Sequence, residues 1–448
     1  MIKNNPLFPE ILTERTTAEL FAFYFGMNIR YDHKRSIWLI WEKHYWKPDK
    51  KEQVIQFIGT LSDLLIEQGK TEKSKYIEQW GIKLQANAKI HNILTLARST
   101  KPIALTGDEF DTKPFLFGCA NGIIDLTTGK LRDGKIGDYI SMTNEYSFIP
   151  DAECPKWEAF IDLICERDTE LIDYLRRALG YTMTASMREQ VIFLCYGQGG
   201  NGKTILFNVV SKILGEYAQT CSASMFKKNT YGISSTNDIA DIDRKRLVLN
   251  AEGIKDMLLD EERLKSLSGG DRITARRLYS NNFSFSPVCK IWLYTNNYPK
   301  FDDDSYGLWR RLRVIPFLHT FTGRDRILDY DRILLAEEAN GIFKWFVDSC
   351  LMWQERGLQD IPEKINQATQ EYKEENNPLT EYLEERTIRE AGEKTAASLL
   401  YADYNMWIAS RRKTPLTQTA FGRKMLDLSY KKVREEAGYF YQGLRMHL

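Results

Sequence analysis

Residues 197–204 read GQGGNGKT, namely Gly197, Gln198, Gly199, Gly200, Asn201, Gly202, Lys203 and Thr204. The apolar run VIFLCY at residues 191–196 precedes them and predicts a buried strand. The segment KTILFNVVSKIL at residues 203–214 follows with apolar side chains at helical spacing. Strand, glycine loop and helix in this order form the context that the P-loop motif GxxxxGK(S/T) requires.

The chemistry of this stretch favours one class of ligand. Glycines let backbone N–H groups converge on phosphate oxygens, and the helix N-terminus adds partial positive charge. In such a loop Lys203 reaches the β- and γ-phosphates, and the Thr204 hydroxyl coordinates Mg²⁺. The alternative is a glycine-rich turn that matches by chance, and the flanking strand and helix argue against it. We therefore expect the loop to bind ATP with Mg²⁺.

Composition limits the class of protein. A chain of 448 residues predicts about three domains, and 43% hydrophobic with 27% charged residues is ordinary for a globular protein. The net charge is +1, from 62 basic and 61 acidic residues, so any contact with nucleic acid must come from local patches.

The cysteines and the hydropathy indicate a compartment. The seven cysteines are scattered without a CxxC pair, and the five histidines do not cluster with them, which argues against zinc and for a reducing environment. We find no apolar run of membrane-spanning length and no signal-peptide shape in MIKNNPLFPE. The sequence predicts a cytoplasmic protein that does not contact membranes.

We predict four units along the chain, of overall α/β class. The N-terminal unit mixes helices with fewer strands, including a helix at 17–25, a strand-like stretch at 36–46 and helices within 51–99. The segment 115–131 has turn signals around a short strand, 146–157 looks like a linker, and helices at 157–186 lead to the P-loop. The predicted units span 1–110, 111–185, 186–378 and 379–448.

After the P-loop, strand-like and helix-like segments alternate, which predicts a mostly parallel sheet covered by helices. The predicted strands are 246–251, 272–279, 283–286 and 290–295, and the predicted helices are 260–267 and 362–376.

Glu252 follows the predicted strand 246–251, beside the place where the P-loop would hold the nucleotide. A carboxylate there can hold Mg²⁺ through water and polarise the attacking water. The plainer interpretation is a surface glutamate after a strand.

Two further motifs narrow the chemistry. Asn296 ends the predicted strand 290–295, where an amide can orient the attacking water, although the sequence Asn-Asn-Tyr-Pro is also typical of a turn. The pair Arg310-Arg311 in LWRRLRVIPF is either a solvated basic face or an arginine finger that acts on ATP in a neighbouring subunit.

From about residue 115 to 448 the sequence resembles the phage, plasmid and poxvirus-type replication helicases of superfamily 3, which are AAA+ ATPases. Six segments carry the resemblance in the order and spacing of the family: FGCANGIIDLTTGKL, GQGGNGKT, RKRLVLNAEG, LKSLSGGDRITARRLY, IWLYTNNYP and GLWRRLRVIPF.

The resemblance implies a ring-forming, ATP-driven DNA helicase, a hexamer that moves 3′ to 5′ along one strand to replicate a phage, plasmid or mobile element. It also implies Walker A at 197–204, Walker B ending at Glu252, sensor 1 at Asn296, and a finger at Arg310 or Arg311. One departure matters, because Ala251 precedes Glu252 where AAA+ proteins usually have an acidic pair. Glu252 must then serve both metal and water, or Mg²⁺ rests mainly on Thr204.

The family often carries an N-terminal primase domain. The roughly 110 residues before the resemblance are too few for one and lack its metal-binding carboxylate pattern. We therefore expect a helicase without a primase in the same chain, with a separate primase or polymerase as a partner.

The segment GGDRITARRLYSNNFSFSP predicts two strands joined by a polar turn. Alone it would be an ordinary hairpin with solvated arginines. Within the family it predicts a loop that contacts single-stranded DNA in the ring channel, because arginines and an aromatic ring track one strand. The DNA-contacting residues would be Lys265, Arg276, Arg277 and Tyr279.

The tail, 379–448, predicts two helices at 396–410 and 418–428, followed by a hairpin of 430–434 and 439–446. This pattern indicates a winged helix. Residues 411–448 hold nine Lys/Arg and three Asp/Glu, a local excess of +6 that fits contact with duplex DNA. Docking of a protein partner is the competing interpretation.

Two rivals to the helicase remain open. One is an origin-binding AAA+ initiator whose ATPase drives assembly only, which the arginine-bearing hairpin disfavours. The other is a P-loop small-molecule kinase, which the Arg310-Arg311 context and the basic tail disfavour.

Overall fold

The computed structural model describes residues 9–228, 237–251, 257–276, 282–301, 306–323, 326–376, 378–411 and 415–447. Within these ranges no helix is both long and apolar enough to cross a membrane. Short 3-10 helices lie at Ile136–Asp138, Gly215–Tyr217 and Ala223–Phe226.

The N-terminal unit packs helices against a four-stranded sheet. Its elements are α1 (Glu14–Phe25), β1 (Ile29–Asp32), β2 (Ile37–Glu42), β3 (Tyr45–Pro48), α2 (Val54–Thr71), α3 (Lys75–Lys83), α4 (Asn87–Ala97) and β4 (Ala104–Leu105). The sheet order is β3-β2-β1-β4, and β4 runs parallel to β1. Thr13 caps α1 through its side-chain oxygen, which accepts the Thr16 N–H. Helix α1 confirms the helix predicted at 17–25.

The strand-like stretch 36–46 contains β2 and the start of β3, which pair as a hairpin. Trp41 pairs with Trp46 across the tight turn at Lys43 and His44, and Lys43 has a φ of +58°. The predicted strand character is confirmed, whereas the reversal was not predicted, because this turn lacks the Gly, Asn or Asp that normally marks one.

A small antiparallel meander and two helices connect this unit to the central parallel sheet. They are β5 (Leu116–Cys119), β6 (Gly122–Asp125), β7 (Lys130–Arg132), α5 (Pro155–Ile164) and α6 (Thr169–Thr182). The turn signals predicted around a short strand within 115–131 include Asn121-Gly122, and a turn there is confirmed because Cys119 pairs with Gly122.

The core is a five-stranded parallel sheet with the order β14-β8-β13-β10-β9. Its elements are β8 (Ile192–Tyr196), α7 (Lys203–Leu214), β9 (Ala218–Cys221), α8 (Asn237–Asp241), β10 (Leu247–Ala251), α9 (Glu261–Gly269), β13 (Lys290–Thr295), α10 (Tyr306–Trp309), β14 (Leu312–Pro316), α11 (Tyr330–Arg356) and α12 (Glu363–Asn376). This sheet confirms the predicted parallel α/β core.

Alternating side chains of the sheet enter two different apolar clusters. Phe193 and Cys195 lie in the cluster that includes α6, α7 and α11. Ile192 and Leu194 lie in the opposite cluster, which includes α9 and α12. Both faces are therefore covered, which explains why the strands read as continuous apolar runs.

The predicted hairpin is a separate two-stranded sheet of β11 (Ile273–Arg276) and β12 (Asn282–Phe285). Its antiparallel register pairs Ile273 with Phe285 and Arg276 with Asn282. The pairing confirms that the chain reverses between these strands.

The C-terminal unit begins where one apolar cluster gives way to another. Tyr372 of α12 packs in the core cluster, whereas Leu379 belongs to a cluster confined to the tail. The tail elements are α13 (Pro378–Arg386), β15 (Thr387–Ala396), α14 (Ala397–Ser410), α15 (Gln418–Asp427), β16 (Lys432–Glu435) and β17 (Gly438–Met446), with sheet order β15-β17-β16. The Thr417 hydroxyl accepts the Ala420 N–H and caps α15.

Paired charges hold the N-terminal unit against the core. The Arg35 guanidinium lies 2.8 Å from an Asp32 oxygen and 2.5 Å from an Asp243 oxygen, all three side chains being largely buried. Arg244 Nη1 lies 2.9 Å from Asp111 Oδ2. Because Asp243 and Arg244 lie shortly before β10, these ion pairs join the N-terminal part of the chain to the segment that leads into an interior strand of the sheet.

Candidate functional site

The stretch predicted as a P-loop joins the carboxyl end of β8 to the first residue of α7. Gly202 caps the helix with a φ of +84°, a conformation that L side chains rarely adopt. A Cβ atom there would also lie 2.9 Å from Ile164 Cγ2 of α5. Glycine is thus required both for the turn and for the close packing of α5 against the loop.

Lys203 is almost fully buried, with 5% of its surface exposed. Its Nζ donates to the Gly197 carbonyl at 2.6 Å and to Asn201 Oδ1 at 2.9 Å. Burial lowers the pKa of this ammonium to about 8. The two hydrogen bonds hold the ammonium at the loop, where its low exposure to solvent strengthens the attraction between the charged form and an anion.

Asn201 connects the loop to the chain after β14. Its Nδ2 donates to the Phe317 carbonyl at 3.2 Å while its Oδ1 accepts from Lys203. A Cβ at Gly197 would lie 2.3 Å from the same Phe317 oxygen. These contacts fix the lysine and the segment after β14 relative to each other.

A cavity of about 970 Å³ adjoins the loop and falls within the size range of ligand pockets, roughly 300–1,000 Å³. Lys203, the exposed Thr204 and the exposed Asn296 all line it. Asn296 reaches it because β13 lies next to β8, with Thr295 opposite Tyr196. The structure thus brings together three of the residues that the sequence singles out.

Glu252 lies outside the described residues. The strand before it, β10, pairs with β13 so that Ala251 is opposite Tyr294, a residue that lines the cavity. Strand β10 therefore ends at the edge of the sheet that carries the loop and Asn296.

Arg310 and Arg311 lie at the opposite edge of the sheet from this cavity. Leu312 begins β14 opposite Ile192, at the far end of β8 from the loop, about 13 Å along the strand at ~3.3 Å per residue. Arg311 is half-buried and donates to the Lys265 carbonyl at 3.3 Å and to Gln190 Oε1 at 3.4 Å. Arg310 is exposed.

The proposed DNA-contacting residues fall at the base of the hairpin and beyond it. Lys265 lies on α9 with its Nζ 3.8 Å from Glu261 Oε2, and Arg276 is the last described residue of β11 and is exposed. Arg277 and Tyr279 lie outside the described residues.

No local sequence pattern predicted the other wall of the cavity. Phe160 and Leu163 of α5 line it, together with Phe321, Arg326 and Tyr330, which follow β14. These side chains are about 160 positions apart in the chain and meet only because α5 packs on the loop. One sequence feature could have indicated this wall: Phe321 is an aromatic residue shortly after β14, the strand that pairs with β8.

Two family models match separate parts of the chain. Residues 18–166 match the D5 N-terminal-like family. Residues 195–311 match a family of unknown function, and this range includes the P-loop, Asn296 and the arginine pair. The first match begins well before residue 115, so the similarity to known families also includes the N-terminal unit.

Several curated relatives are viral proteins. Putative helicase L207/L206 of Acanthamoeba polyphaga mimivirus is 30% identical over 225 residues, which are 47% of this chain and 22% of that protein. Putative helicase 184R of Invertebrate iridescent virus 6 is 23% identical over 384 residues, 75% of this chain and 39% of that protein. Putative primase C962R of African swine fever virus is 26% identical over 212 residues, 45% of this chain and 22% of that protein.

This chain spans 22% to 40% of the length of such relatives. Among solved structures, the A form apo structure of the NrS-1 C-terminal region has a TM-score of 0.51 at 12% identity, covering 94% of this chain and 97% of that one. The likeness shows a shared fold. The chain is thus similar to viral proteins named as putative helicases and primases.

Proposed function

We propose that this protein is an ATP-dependent DNA helicase of superfamily 3, built on an AAA+ core. The proposal rests on one cavity that is lined by Lys203, Thr204 and Asn296 together. The exposed Arg310 lies at the opposite ends of the strands of the same sheet. A ring of such subunits would bring the arginine of one subunit to the cavity of the next. The names of the viral relatives support the same function.

Hydrolysis of ATP would use groups aimed at one point. The Lys203 ammonium stabilises charge on the β- and γ-phosphates, and Asn296 orients the attacking water. The exposed Thr204 hydroxyl fits a hard cation such as Mg²⁺, which supplies charge neutralisation when bound. Glu252 is proposed to accept a proton from the water and to assist the cation site.

Between the two arginines, the contacts favour Arg310 as the finger. Arg311 is engaged with Lys265 and Gln190, and burial lowers its pKa. An arginine finger must be able to reach a phosphate of ATP bound to another subunit. Arg310 is exposed and meets this requirement.

The hairpin and the tail are proposed to bind different forms of DNA. Arg276, with Arg277 and Tyr279, would contact single-stranded DNA in the channel, and Lys265 would add charge at the base of the hairpin. In the tail, three helices and a three-stranded sheet support a winged helix. Exposed basic side chains of α15 and β16 would contact duplex phosphates: Arg423, Lys432 and Arg434.

We further propose that the protein acts as a hexamer that moves 3′ to 5′ on single-stranded DNA during replication of a viral or other mobile genome. A separate primase is a fitting partner, since one relative is named as a putative primase. Electron microscopy with an ATP analogue and forked DNA tests the ring directly, and a chain that stays monomeric on DNA would refute it.

The second candidate is an origin-binding initiator whose ATPase drives assembly without processive unwinding. The basic tail favours it if duplex binding proves to be the dominant contact. A P-loop kinase is separated from both by the effect of DNA on ATP hydrolysis. We expect single-stranded DNA to stimulate hydrolysis, an effect that a small-molecule kinase would lack.

The division between hairpin and tail predicts opposite losses in two matched double variants. Replacing Arg276 and Arg277 with alanine should weaken binding to single-stranded DNA about ten-fold and leave duplex binding intact. Replacing Arg423 and Arg434 with alanine should weaken binding to duplex DNA about ten-fold and leave binding to single-stranded DNA intact. Each lost contact should reduce the log–log salt slope, by about 0.7 on single strands and about 0.9 on duplex, because fewer counterions are released.

Fluorescence anisotropy with single-stranded and duplex probes over a salt series measures both effects. Equal losses on both probes would contradict the division of labour. If the tail variant keeps the duplex slope of the parent protein, the tail does not bind duplex, and docking of a primase becomes the better account.

A further inference from the structure

The cavity beside the P-loop has an apolar end that phosphate binding does not explain. The ring of Phe321 lies nearly parallel to that of Phe160, with an interplanar angle of 16° and centroids 6.2 Å apart. Tyr330 meets Phe160 edge-on at 6.0 Å. Phe160 is buried and supports the wall, whereas Phe321 is half-buried and lines the cavity, with the His319 ring edge-on to it at 4.6 Å.

Exposed apolar side chains converge on the same end. Leu163, Ile327 and Leu328 are 37%, 49% and 77% exposed, and all three line this cavity. Single exposed leucines on a surface are ordinary, but three at one cavity indicate a surface that covers an apolar ligand.

The apolar end is fixed relative to the phosphate end. The Phe321 N–H donates to the Gly200 carbonyl at 2.9 Å, and the Asn201 amide donates to the Phe317 carbonyl at 3.2 Å. The segment 317–321 is therefore attached to the P-loop at both ends. A ligand that bridges the two ends must have an anionic part and a flat apolar part at a set separation.

We propose that this apolar end is the site for the base of the nucleotide, with Phe321 as the stacking surface and Leu163, Ile327 and Leu328 covering the base. The inference rests on the proposed nucleotide-binding function and deepens it. It makes a nucleoside triphosphate, not an inorganic polyphosphate, the ligand class of the cavity. Stacking on an aromatic ring accepts any base, because every base has a π-face.

The test compares two ligands that share the phosphate chain and differ in the base. Isothermal titration calorimetry with Mg²⁺ would measure the Kd of ATPγS and of inorganic tripolyphosphate for each variant. The informative variants are Phe321→Ala and Leu328→Ala. The matched control is Leu318→Ala, because Leu318 is 58% exposed on the same segment and does not line the cavity.

We expect Phe321→Ala and Leu328→Ala to weaken ATPγS about ten-fold, as for loss of a stacking or covering group, and to leave tripolyphosphate unchanged. Leu318→Ala should match the parent protein, and Lys203→Ala should lose both ligands. Because Leu328 is so exposed, its variant should fold even if Phe321→Ala does not.

Two results would overturn the inference. The first is unchanged ATPγS affinity in Leu328→Ala and Phe321→Ala. The second is a parallel loss of tripolyphosphate, which would mean that these residues only shape the loop. A parent protein that binds neither ligand would refute the nucleotide-binding function itself, and the base site with it.

Discussion

Replacing Lys203 with alanine should lower ATP hydrolysis by about a hundred- to a thousand-fold, the usual cost of removing one preorganised group from a charged transition state. Lys203 is buried and fixed between the Gly197 carbonyl and Asn201, so its charge needs little reorganisation to act. Steady-state release of phosphate measures the effect, with circular dichroism as the check on folding.

The matched control is Lys212→Ala. Lys212 lies in the last turn of the same helix, α7, and is exposed, so its loss should leave hydrolysis near the parent level. Normal turnover by a folded Lys203→Ala protein would falsify the assignment of the P-loop.

Replacing Arg310 with alanine should lower hydrolysis by about 10³-fold, the order of magnitude typical of arginine fingers. Arg310 should act on ATP bound by a neighbouring subunit, because it is exposed at the ends of the strands opposite its own cavity. Mixing Arg310→Ala protein with Lys203→Ala protein should therefore restore part of the activity. Some interfaces of a mixed ring would hold an intact lysine on one side and an intact arginine on the other.

The controls separate a finger from a structural arginine. Arg15→Ala removes a side chain that is 83% exposed on α1 and should change nothing. Arg311→Ala should disturb the contact with Lys265 and should not be rescued by mixing. If the mixture of Arg310→Ala and Lys203→Ala proteins stays inactive although both assemble, Arg310 does not act in trans.

Local sequence patterns were sufficient to predict the parallel core. The apolar runs before Gly197 and at 290–295 form strands buried on both faces, and the helical spacing after Lys203 marks the buried face of α7. In each case the sequence periodicity follows burial directly. Asn296 was found because the carboxyl ends of parallel strands meet at one edge, and the adjacency of β13 and β8 brings it to the loop.

Other features have no local signature. Strand β15 was not predicted, because most of TIREAGEKTA is exposed and its polar side chains show no alternation. The apolar wall of the cavity joins Phe160 to Phe321, and only tertiary packing of α5 on the P-loop brings them together. The choice between Arg310 and Arg311 likewise required the contacts of Arg311 with Lys265 and Gln190.

The most direct measurement of the central claim is displacement of one strand from a forked DNA duplex in the presence of ATP and Mg²⁺. We expect the parent protein to release the strand only when ATP is hydrolysed, and Lys203→Ala protein to release none while still binding the fork. If the parent protein hydrolyses ATP and binds the fork but releases no strand, the helicase assignment is contradicted, and the assembly ATPase becomes the better description.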